Sequence, residues 1–287
     1  MSAMPSSRVS VVILTHNRAD ELLRTVAHTL ALPERPPVTV VDNGSSDGSP
    51  ERVMARFPSV RVMALRENFG AAARNVGARA TLTPYVAFCD DDTFWAPGSL
   101  ALAAQLLDAH SRVAVLSARV LVGPERREDP ACLDMAASPL PSSGLPGRAI
   151  MGFLAGASVF RRAAFLEAGG YEPRFFIGGE ESLLALDLAA RGWALVYVDR
   201  LTVHHHPSSY RDATARRRLL VRNALWVAWL RRPLGRALRL TLSVVSDSAR
   251  DPGLIAGCVD ALRGLPWVMR NRRVIPPHVE ALRHQIK

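Results

Sequence analysis

The feature that most constrains the fold is a regular alternation of short β-type runs and helical patterns over the first 90 residues. Four runs rich in Val, Ile and aromatic residues are separated by three helical stretches: strands at 9–14, 38–41, 60–65 and 85–89, helices at 20–32, 49–57 and 68–81. The first run, VSVVIL, is apolar except for Ser10 and rich in β-branched residues, which is typical of a parallel strand buried on both faces. The alternation therefore predicts an α/β fold with a mostly parallel, doubly wound sheet and flanking helices.

Polar residues follow three of these predicted strands at the point where each strand ends. Thr15 and Asn17 follow the first strand, Asp42 follows the second, and three consecutive aspartates at 90–92 follow the fourth. Ligands of open α/β sheets bind beyond the carboxyl ends of the strands. We therefore expect these side chains to converge on one edge of the sheet and to form the binding site.

The run Asp90-Asp91-Asp92 points to metal chemistry. Adjacent carboxylates repel one another, so burying them at a strand end is costly unless a cation compensates their charge. Mg²⁺ and Mn²⁺ prefer oxygen ligands and are often shared between carboxylates and a substrate diphosphate. A solvated acidic turn is the alternative interpretation of the same residues.

Two other residues admit either a binding or a purely structural role. Asp42 is able to accept hydrogen bonds from a base or a ribose, but it would equally suit a turn that its own side chain stabilises. Arg74, in the helix after the third strand, is placed to meet a phosphate or to stack on a base. An ordinary surface arginine is the alternative for Arg74.

The second part of the chain changes in pattern and in charge near residue 207. Strands are predicted at 113–122, 153–160 and 193–203, a helix at 181–190 and a loop at 123–148. Residues 208–287 hold 16 Arg and Lys against 5 Asp and Glu, whereas residues 1–207 hold 20 against 21. The excess positive charge of the chain therefore belongs to a basic, helical C-terminal extension, which is where an anionic partner is expected.

A predicted helix at 211–232 dominates the start of this extension. It carries arginines at both ends and Trp226 and Trp229 in its apolar middle. Such a helix either lies on an anionic membrane surface or packs its apolar side on the protein and leaves its arginines in solvent. A non-enzymatic protein that binds nucleic acid through this extension is a further interpretation, but no nucleic-acid motif accompanies the charge.

The cysteines and the N-terminal segment predict a cytoplasmic protein. Cys89, Cys132 and Cys258 show neither a disulfide framework nor zinc-ligand spacing, which suits a reducing compartment. The N-terminal segment lacks the apolar core and cleavage site of a signal peptide, and no apolar run near the C-terminus approaches the length of a membrane span. Peripheral attachment at the inner face of the membrane is compatible with the basic extension.

Taken together and in order, several segments resemble those of family 2 glycosyltransferases. The opening segments are VVILTHNR at 11–18, VVDNGSSDGS at 40–49, NFGAAARNVG at 68–77 and YVAFCDDDT at 85–93, which matches the strand and DxD motif of that family. The likeness continues through GASVFRR at 156–162 and GEESL at 179–183 to residues 203–206, and thus covers about residues 8–207. Each motif alone is weak, but their order and spacing are specific.

The resemblance implies a GT-A fold with a Rossmann-like sheet, and inverting transfer of a sugar from a nucleoside-diphosphate donor with Mn²⁺ or Mg²⁺ as cofactor. It implies that Asp42 contacts the base, Arg74 the base or diphosphate, and Asp90 the ribose. Thr15, Asn17 and Asp91 are expected to complete the nucleotide site. The expected metal ligands are Asp92 and His205, with His204 and His206 as alternatives to His205 one residue away.

The acidic pair Glu180-Glu181 stands where the family usually has Glu-Asp, whose second member is the general base. Glu181 is therefore the candidate base and Glu180 the second candidate, although Glu in place of Asp lengthens the side chain by one methylene. Inverting transfer requires a carboxylate to remove the proton of the acceptor hydroxyl as it attacks opposite the diphosphate. The alternative is a helix N-terminus, which favours acidic residues through the helix dipole.

The resulting hypothesis is a metal-dependent glycosyltransferase with a UDP- or dTDP-sugar donor, because Asp42 suits uracil or thymine. The acceptor is expected to be a saccharide or a lipid-linked saccharide of the cell surface, and no nucleic-acid partner is expected. Residues 1–207 are then the catalytic domain, with a nucleotide-sugar half at 1–122 and an acceptor half at 123–207. A nucleotidyltransferase with a related sheet is the alternative enzyme, but THNR at 15–18 is not the Gly-rich phosphate loop that it normally shows.

Overall fold

The structure is a computed structural model and describes residues 7–207, 213–248 and 252–286. The first part contains β1 (Val9–Thr15), α1 (Ala19–Leu30), β2 (Val38–Asp42), α2 (Ser49–Arg56), β3 (Arg61–Ala64), α3 (Arg74–Ala80) and β4 (Tyr85–Asp90). The middle part contains β5 (Thr93–Trp95), α4 (Ser99–Ala109), β6 (Val113–Val122), β7 (Arg127–Glu128), α5 (Pro130–Ala136), β8 (Arg148–Ala149), β9 (Ser158–Arg161), α6 (Arg162–Glu167), α7 (Glu180–Ala190) and β10 (Ala194–His205).

One mixed sheet with the strand order β3-β2-β1-β4-β9-β6-β10-β5 forms the centre of the molecule. The first four strands are parallel, as predicted, and β9 runs antiparallel between β4 and β6. The side chains of β1 and β2 are almost entirely buried, because helices cover both faces of the sheet. The register sets Thr15 opposite Asp42 and Leu14 opposite Asp90, so the ends of three strands meet at one edge.

Three predicted elements differ from the structure. The helix predicted at 68–81 is a 3-10 turn (Gly70–Ala73) followed by α3, since Gly70 has a left-handed φ of 59° that an α-helix does not accept. The strand predicted at 153–160 begins only at Ser158, after a 3-10 turn (Ala155–Ala157). The loop predicted at 123–148 contains α5, which begins at Pro130 and is capped by the Asp129 carboxylate.

The C-terminal extension consists of α8 (Ala213–Arg231), α9 (Leu234–Ser248), α10 (Pro252–Arg263), α11 (Leu265–Arg270) and α12 (Pro277–Gln285). It shares a second hydrophobic cluster with the preceding part of the chain, in which Phe175 and Leu183 pack with Trp226 and Val268. None of the described helices is long and apolar enough to cross a membrane. Residues 208–212, at the start of the helix predicted at 211–232, lie outside the described residues.

The two tryptophans of α8 face the protein. Trp226 is buried, lies 5.8 Å from Phe175 between ring centroids, and donates from Nε1 to the Ala261 carbonyl at 3.0 Å. Trp229 donates from Nε1 to the Thr241 hydroxyl at 3.0 Å. The structure therefore agrees with the interpretation in which α8 packs its aromatic side on the protein, and not with the one in which this side lies on a membrane.

Candidate active site

The polar strand ends meet as the sequence predicts. Thr15, at the end of β1, donates from Oγ1 to Oδ2 of Asp91 at 2.9 Å, although the two residues are 76 positions apart. Thr25 of α1 donates to the main-chain oxygen of Asp91 at 2.7 Å. These bonds fix the turn after β4 against β1 and α1, and they leave the first aspartate of the run, Asp90, at the open edge.

Arg18 compensates the charge of two of the three aspartates. Its Nη1 donates to Asp91 Oδ1 at 3.1 Å and to Asp92 Oδ2 at 3.2 Å. Arg74 donates to the third, Asp90. The cation that the acidic run requires is thus supplied in part by the protein itself. Arg18 was not among the predicted site residues, because nothing in its local pattern indicates a contact more than 70 residues away.

Asp91 is turned inward. Both of its carboxylate oxygens accept hydrogen bonds, one from Thr15 and one from Arg18. Burial raises the pKa of Asp91 to about 7, because the cost of desolvation outweighs the attraction of Arg18. The nucleotide contact predicted for Asp91 would require it to release one of these donors, so its position favours a structural role.

Asp92 and His205 face each other in the position predicted for metal ligands. The distance between Asp92 Oδ1 and His205 Nε2 is 3.6 Å, and both side chains are largely buried. They meet because β10 pairs antiparallel with β5, which sets His205 opposite Thr93. His204 and His206 lie on the other face of the strand and stack on Phe94, so His205 is the histidine that points to Asp92.

These two side chains fit a metal that is shared with a substrate. No group of three His, Cys, Asp or Glu residues within the described chain is placed to hold an ion. One carboxylate and one imidazole are nevertheless a suitable protein contribution, since Mg²⁺ and Mn²⁺ commonly keep most of their coordination for phosphates and water. The residues therefore fit a diphosphate-bound ion rather than a site closed by the protein.

Asp42 offers a buried acceptor to a ligand. The residue is 1% exposed, and its Oδ2 accepts a hydrogen bond from the Ser45 amide at 3.1 Å. Its Oδ1 is buried and has no hydrogen-bond partner within the described part of the chain. Because an unsatisfied buried acceptor is costly, this oxygen is suited to an N–H group of a bound base.

Asn17 joins the loops that follow β1 and β2. Its backbone has a left-handed φ of 53°, and its amide N–H donates to Ser45 Oγ at 2.8 Å. Its side-chain oxygen accepts from the Ser46 amide at 2.7 Å. Asn17 is exposed, and its contacts set the shape of the rim beside Asp42.

Gly156 lies directly beneath the Asp90 carboxylate, in the 3-10 turn that precedes β9. A Cβ atom at this position would lie 2.7 Å from Asp90 Cγ. A side chain at 156 would therefore push Asp90 away from Arg74.

We expect Gly156→Ala to weaken donor binding, because it displaces the carboxylate predicted to contact the ribose. The expected loss is about tenfold or more, which corresponds to one charge-assisted hydrogen bond. Titration calorimetry with a nucleoside diphosphate measures it. Gly152→Ala is the matched control, since a Cβ there meets nothing within 4 Å. Equal donor affinity in both variants would contradict the role given to Asp90.

The acidic pair begins α7, directly after a loop that faces Arg74. Glu180 is buried, whereas Glu181 is partly exposed. Burial and the neighbouring Glu181 raise the pKa of Glu180 to about 8. Burial also raises the pKa of Glu181, against the attraction of Arg74 and of Arg216 from α8. Glu181 is the more exposed member of the pair and therefore the one that a second substrate is able to reach.

The loop before this pair is held by two glycines and an unusual backbone. Phe176 has a left-handed φ of 62°, and its carbonyl accepts a hydrogen bond from the Ala71 amide at 2.7 Å. A Cβ at Gly70 would overlap that same carbonyl, so only glycine permits the approach. Gly179, with a φ of 89°, then turns the chain into α7. The segments 68–77 and 179–183 thus meet in space.

Asn223 of α8 holds this loop from the other side, a role that the sequence did not indicate. Its Nδ2 donates to the carbonyl of Phe175 at 2.9 Å, to that of Ile177 at 3.2 Å, and to that of Gly178. Arg222 adds a bond to the Phe175 carbonyl at 2.8 Å. Asn223 is fully buried. The C-terminal extension therefore takes part in positioning Glu180 and Glu181.

Known proteins share this architecture and parts of the sequence. The chain is 28% identical over 284 residues to the N-acetylglucosaminyl-diphospho-decaprenol L-rhamnosyltransferase of Mycobacterium tuberculosis, covering 82% of this chain and 91% of that protein. The mannosyltransferase PcManGT from Pyrobaculum calidifontis, solved with GDP-Man and Mn²⁺, superposes with a TM-score of 0.60 at 19% identity over 97% of this chain and 85% of its own. GalNAc-T7, solved with UDP, GalNAc and Mn²⁺, gives 0.59 at 18% identity over 77% of this chain and 47% of its own.

These likenesses agree with the geometry. The structural neighbours share the GT-A fold, which confirms the predicted fold class. The model of the family named Glycosyl transferase family 2 matches residues 10–167, which contain β1 to β4 and the three strand ends of the site. The chain belongs to glycosyl transferase family 2 and is a glycosyltransferase.

Proposed function

We propose that this glycosyltransferase transfers a sugar from a pyrimidine nucleoside-diphosphate sugar to a hydroxyl of a lipid-linked saccharide, with inversion of configuration at the anomeric carbon. The observation that carries the proposal is the juxtaposition of two sets of groups at one edge of the sheet. Asp42, Arg74 and Asp90 line the donor side, and the partly exposed carboxylate of Glu181 faces Arg74 and Asp90 from α7. Family membership replaces the earlier alternatives of a nucleotidyltransferase and of a nucleic-acid-binding protein.

The donor is held by groups that differ in chemistry along its length. The unsatisfied Asp42 Oδ1 accepts the N–H of uracil or thymine, which a guanine would present in a different place. Asp90 accepts a ribose hydroxyl, and Arg74, which already neutralises Asp90, is near enough to attract the diphosphate. This arrangement favours UDP or dTDP as the carrier.

Glu181 acts on the acceptor. Its carboxylate removes the proton of the attacking hydroxyl while the oxygen forms the new bond to the anomeric carbon, opposite the departing diphosphate. Arg74 stabilises the negative charge that collects on the leaving group. A divalent ion held by Asp92 and His205 would supply further electrostatic stabilisation of the diphosphate. Arg18 pairs with the Asp92 carboxylate and orients it.

The acceptor and sugar are proposed from the relative together with the charge on the acceptor side. The Mycobacterium tuberculosis relative is named for an L-rhamnosyl transfer to N-acetylglucosaminyl-diphospho-decaprenol. Arg216, an exposed residue of α8, is close enough to Glu181 to lower its pKa, and it places a cation where an acceptor diphosphate would lie. A deoxyhexose donor and a polyprenyl diphosphate saccharide acceptor fit both observations.

A binding panel tests the donor assignment. We expect UDP, dTDP or their sugars, but not GDP, to raise the melting temperature in the presence of Mn²⁺. Asp92→Ala should weaken this binding by about tenfold or more, because a charge-assisted contact is worth about 1.5–3 kcal/mol. Asp134→Ala, which removes an exposed carboxylate of α5, should leave it unchanged. The donor proposal is wrong if no nucleotide stabilises the protein, or if only GDP does.

The dependence of transfer on pH tests the base. Burial raises the pKa of Glu181 above the ordinary value of 4.5, and the ionised form is the active one. Activity is therefore expected to be lost as the pH falls through this raised pKa, so the acid limb of kcat/KM lies above pH 4.5.

Arg216→Gln should move that limb to higher pH, because it removes a positive charge that favours ionised Glu181. Arg239→Gln, at an exposed arginine of α9, is the control and should leave the limb in place. An acid limb that stays at the same pH in Arg216→Gln would argue against Glu181 as the titrating base.

A further inference from the structure

The helices α9 and α10 present apolar side chains to solvent along one side of each. The set comprises Leu234, Leu238, Leu242 and Val245 of α9, and Ile255, Val259 and Leu262 of α10, and is called the apolar face below. Leu242 is 69% exposed and Leu262 67% exposed. Spacings of three and four residues bring these positions onto one stripe of each helix. A single exposed leucine is ordinary, but two adjoining stripes of this kind mark an interaction surface.

The opposite sides of the two helices pack against the rest of the extension. Ala237 of α9 and Ala261 of α10 are buried, and Thr241 accepts the indole N–H of Trp229. Both helices contact α8 and each other. The side chains of the apolar face therefore point into solvent and do not contribute to the hydrophobic core.

Exposed arginines lie on the two helices that carry the apolar face and just after them in the chain. Arg239 and Arg263 are exposed on the same two helices, and Arg270 and Arg273 are exposed just beyond them. Two acidic residues of this region are already paired: Asp260 with Arg218 and Arg263, and Glu280 with Arg232 and Arg236. Asp247, near the end of α9, is exposed, so the four exposed arginines outnumber the exposed acid. An occupant must therefore be apolar at its centre and negatively charged at its edge.

Exposed apolar side chains connect this face to the active site. α10 packs closely against α8. The approach is so close that a Cβ atom at Gly257 would lie 2.8 Å from Val221 and from the Arg218 carbonyl. On α8, the half-exposed Leu220 lies against Gly178 of the loop that positions Glu181. The same loop exposes Phe176 and Ile177 at 38% each. An apolar path thus runs from α10 over α8 to the acceptor side.

We propose that the apolar face docks on a lipid bilayer that contains anionic lipids. The leucines enter the boundary between headgroups and acyl chains, and the exposed arginines meet the lipid phosphates. The path over Leu220 and Ile177 then brings the site within reach of a saccharide carried on a lipid. Membrane docking itself does not depend on the proposed reaction, although its purpose, access to a lipid-linked acceptor, rests on it.

A second copy of the chain fits this surface less well. A twofold interface would bring the same four arginines of both copies together around a shared apolar centre, and the exposed Asp247 of each copy would compensate only part of that charge. A bilayer with anionic headgroups removes this repulsion. The two occupants therefore predict different results in one experiment.

Vesicle flotation of the full chain tests the proposal. We expect binding to vesicles of phosphatidylglycerol and phosphatidylcholine, with little binding to phosphatidylcholine alone, and weaker binding at high salt. Leu238→Gln/Leu242→Gln should weaken partitioning by about tenfold or more, because it removes two of the side chains that enter the bilayer. Leu82→Gln/Leu133→Gln, at exposed leucines of the catalytic part, is the matched control and should bind like the wild type.

The outcomes separate this proposal from the proposed function. Donor binding measured on the same variants should stay unchanged, so a failed donor assignment would not affect the flotation result. Absence of vesicle binding, or equal binding of both double variants, would overturn the proposal. A dimer in light scattering that Leu238→Gln/Leu242→Gln converts to a monomer would assign the face to a second copy instead.

Discussion

Glu181→Gln should abolish sugar transfer while donor binding stays intact. Glutamine keeps the size of the side chain but has no basic oxygen, so it cannot take the proton of the acceptor hydroxyl. Loss of a general base typically lowers the rate by about a hundredfold to ten-thousandfold. The measurement is kcat for transfer to an N-acetylglucosaminyl diphosphate lipid, together with the dissociation constant of the donor by calorimetry.

Glu180→Gln is the comparison that decides between the two carboxyls. With its pKa raised to about 8, Glu180 is mostly protonated at neutral pH, so its replacement by a neutral amide changes the charge of the site little. We expect this variant to retain most of its activity. If Glu180→Gln is inactive and Glu181→Gln is active, the assignment of the base is wrong and Glu180 takes its place.

Asn223→Ala should slow transfer although residue 223 lies outside the segments that resemble the family. The substitution removes the side-chain amide whose N–H groups reach the carbonyls of residues 175, 177 and 178, and it leaves these carbonyls without that partner. Such a loss costs about 1–3 kcal/mol of stability. It also frees the loop that sets the position of Glu181, so kcat should fall by about tenfold or more while donor affinity changes little.

Asn271→Ala provides the matched control for this effect. Asn271 also donates from Nδ2 to a carbonyl of the extension, that of Trp267. However, Asn271 is exposed, and this carbonyl belongs to α11 and not to the loop before α7. We expect near wild-type stability and activity from it. A merely structural role for Asn223 predicts lower stability with an unchanged kcat below the melting transition, and that result would remove it from the site.

Local pattern was sufficient for the donor side of the molecule. The four strands of the first half follow from short runs rich in β-branched and aromatic residues, and the convergence of the polar groups at their ends follows from the rule that ligands bind at strand ends. Thr15, Asp42 and Asp90 accordingly lie at one edge. These features depend on residues that are neighbours in the chain, so they can be predicted from a single sequence.

Contacts that depend on distant packing could not be predicted. Arg18 neutralises aspartates more than 70 positions away, and Asn223 reaches a loop more than 40 positions away. Each is an unremarkable residue in its own helix or loop. The facing direction of His205 also needed the register between β10 and β5, because a slip of one residue reverses the side of the strand.

The apolar side chains of the extension show a related limit. Periodicity indicates that helices such as α9 have an apolar stripe, but it does not say whether that stripe faces the protein or solvent. The tryptophans of α8, which suggested a membrane contact, are inside, and leucines that carried no special signal are outside.

The hydrogen bonds from Asn223 to the loop before α7 also determine the order in which the two sides of the site are completed during synthesis. A chain is made from its N-terminus, and domains begin to fold as they emerge. Thr15, Asp42, Arg74 and Asp90 are all present long before residue 223 is added, whereas the loop that positions Glu181 gains its three anchoring bonds only afterwards. Under the proposed function, the groups that hold the donor are therefore in the chain well before the anchor of the proposed base, which is complete only once α8 has been made.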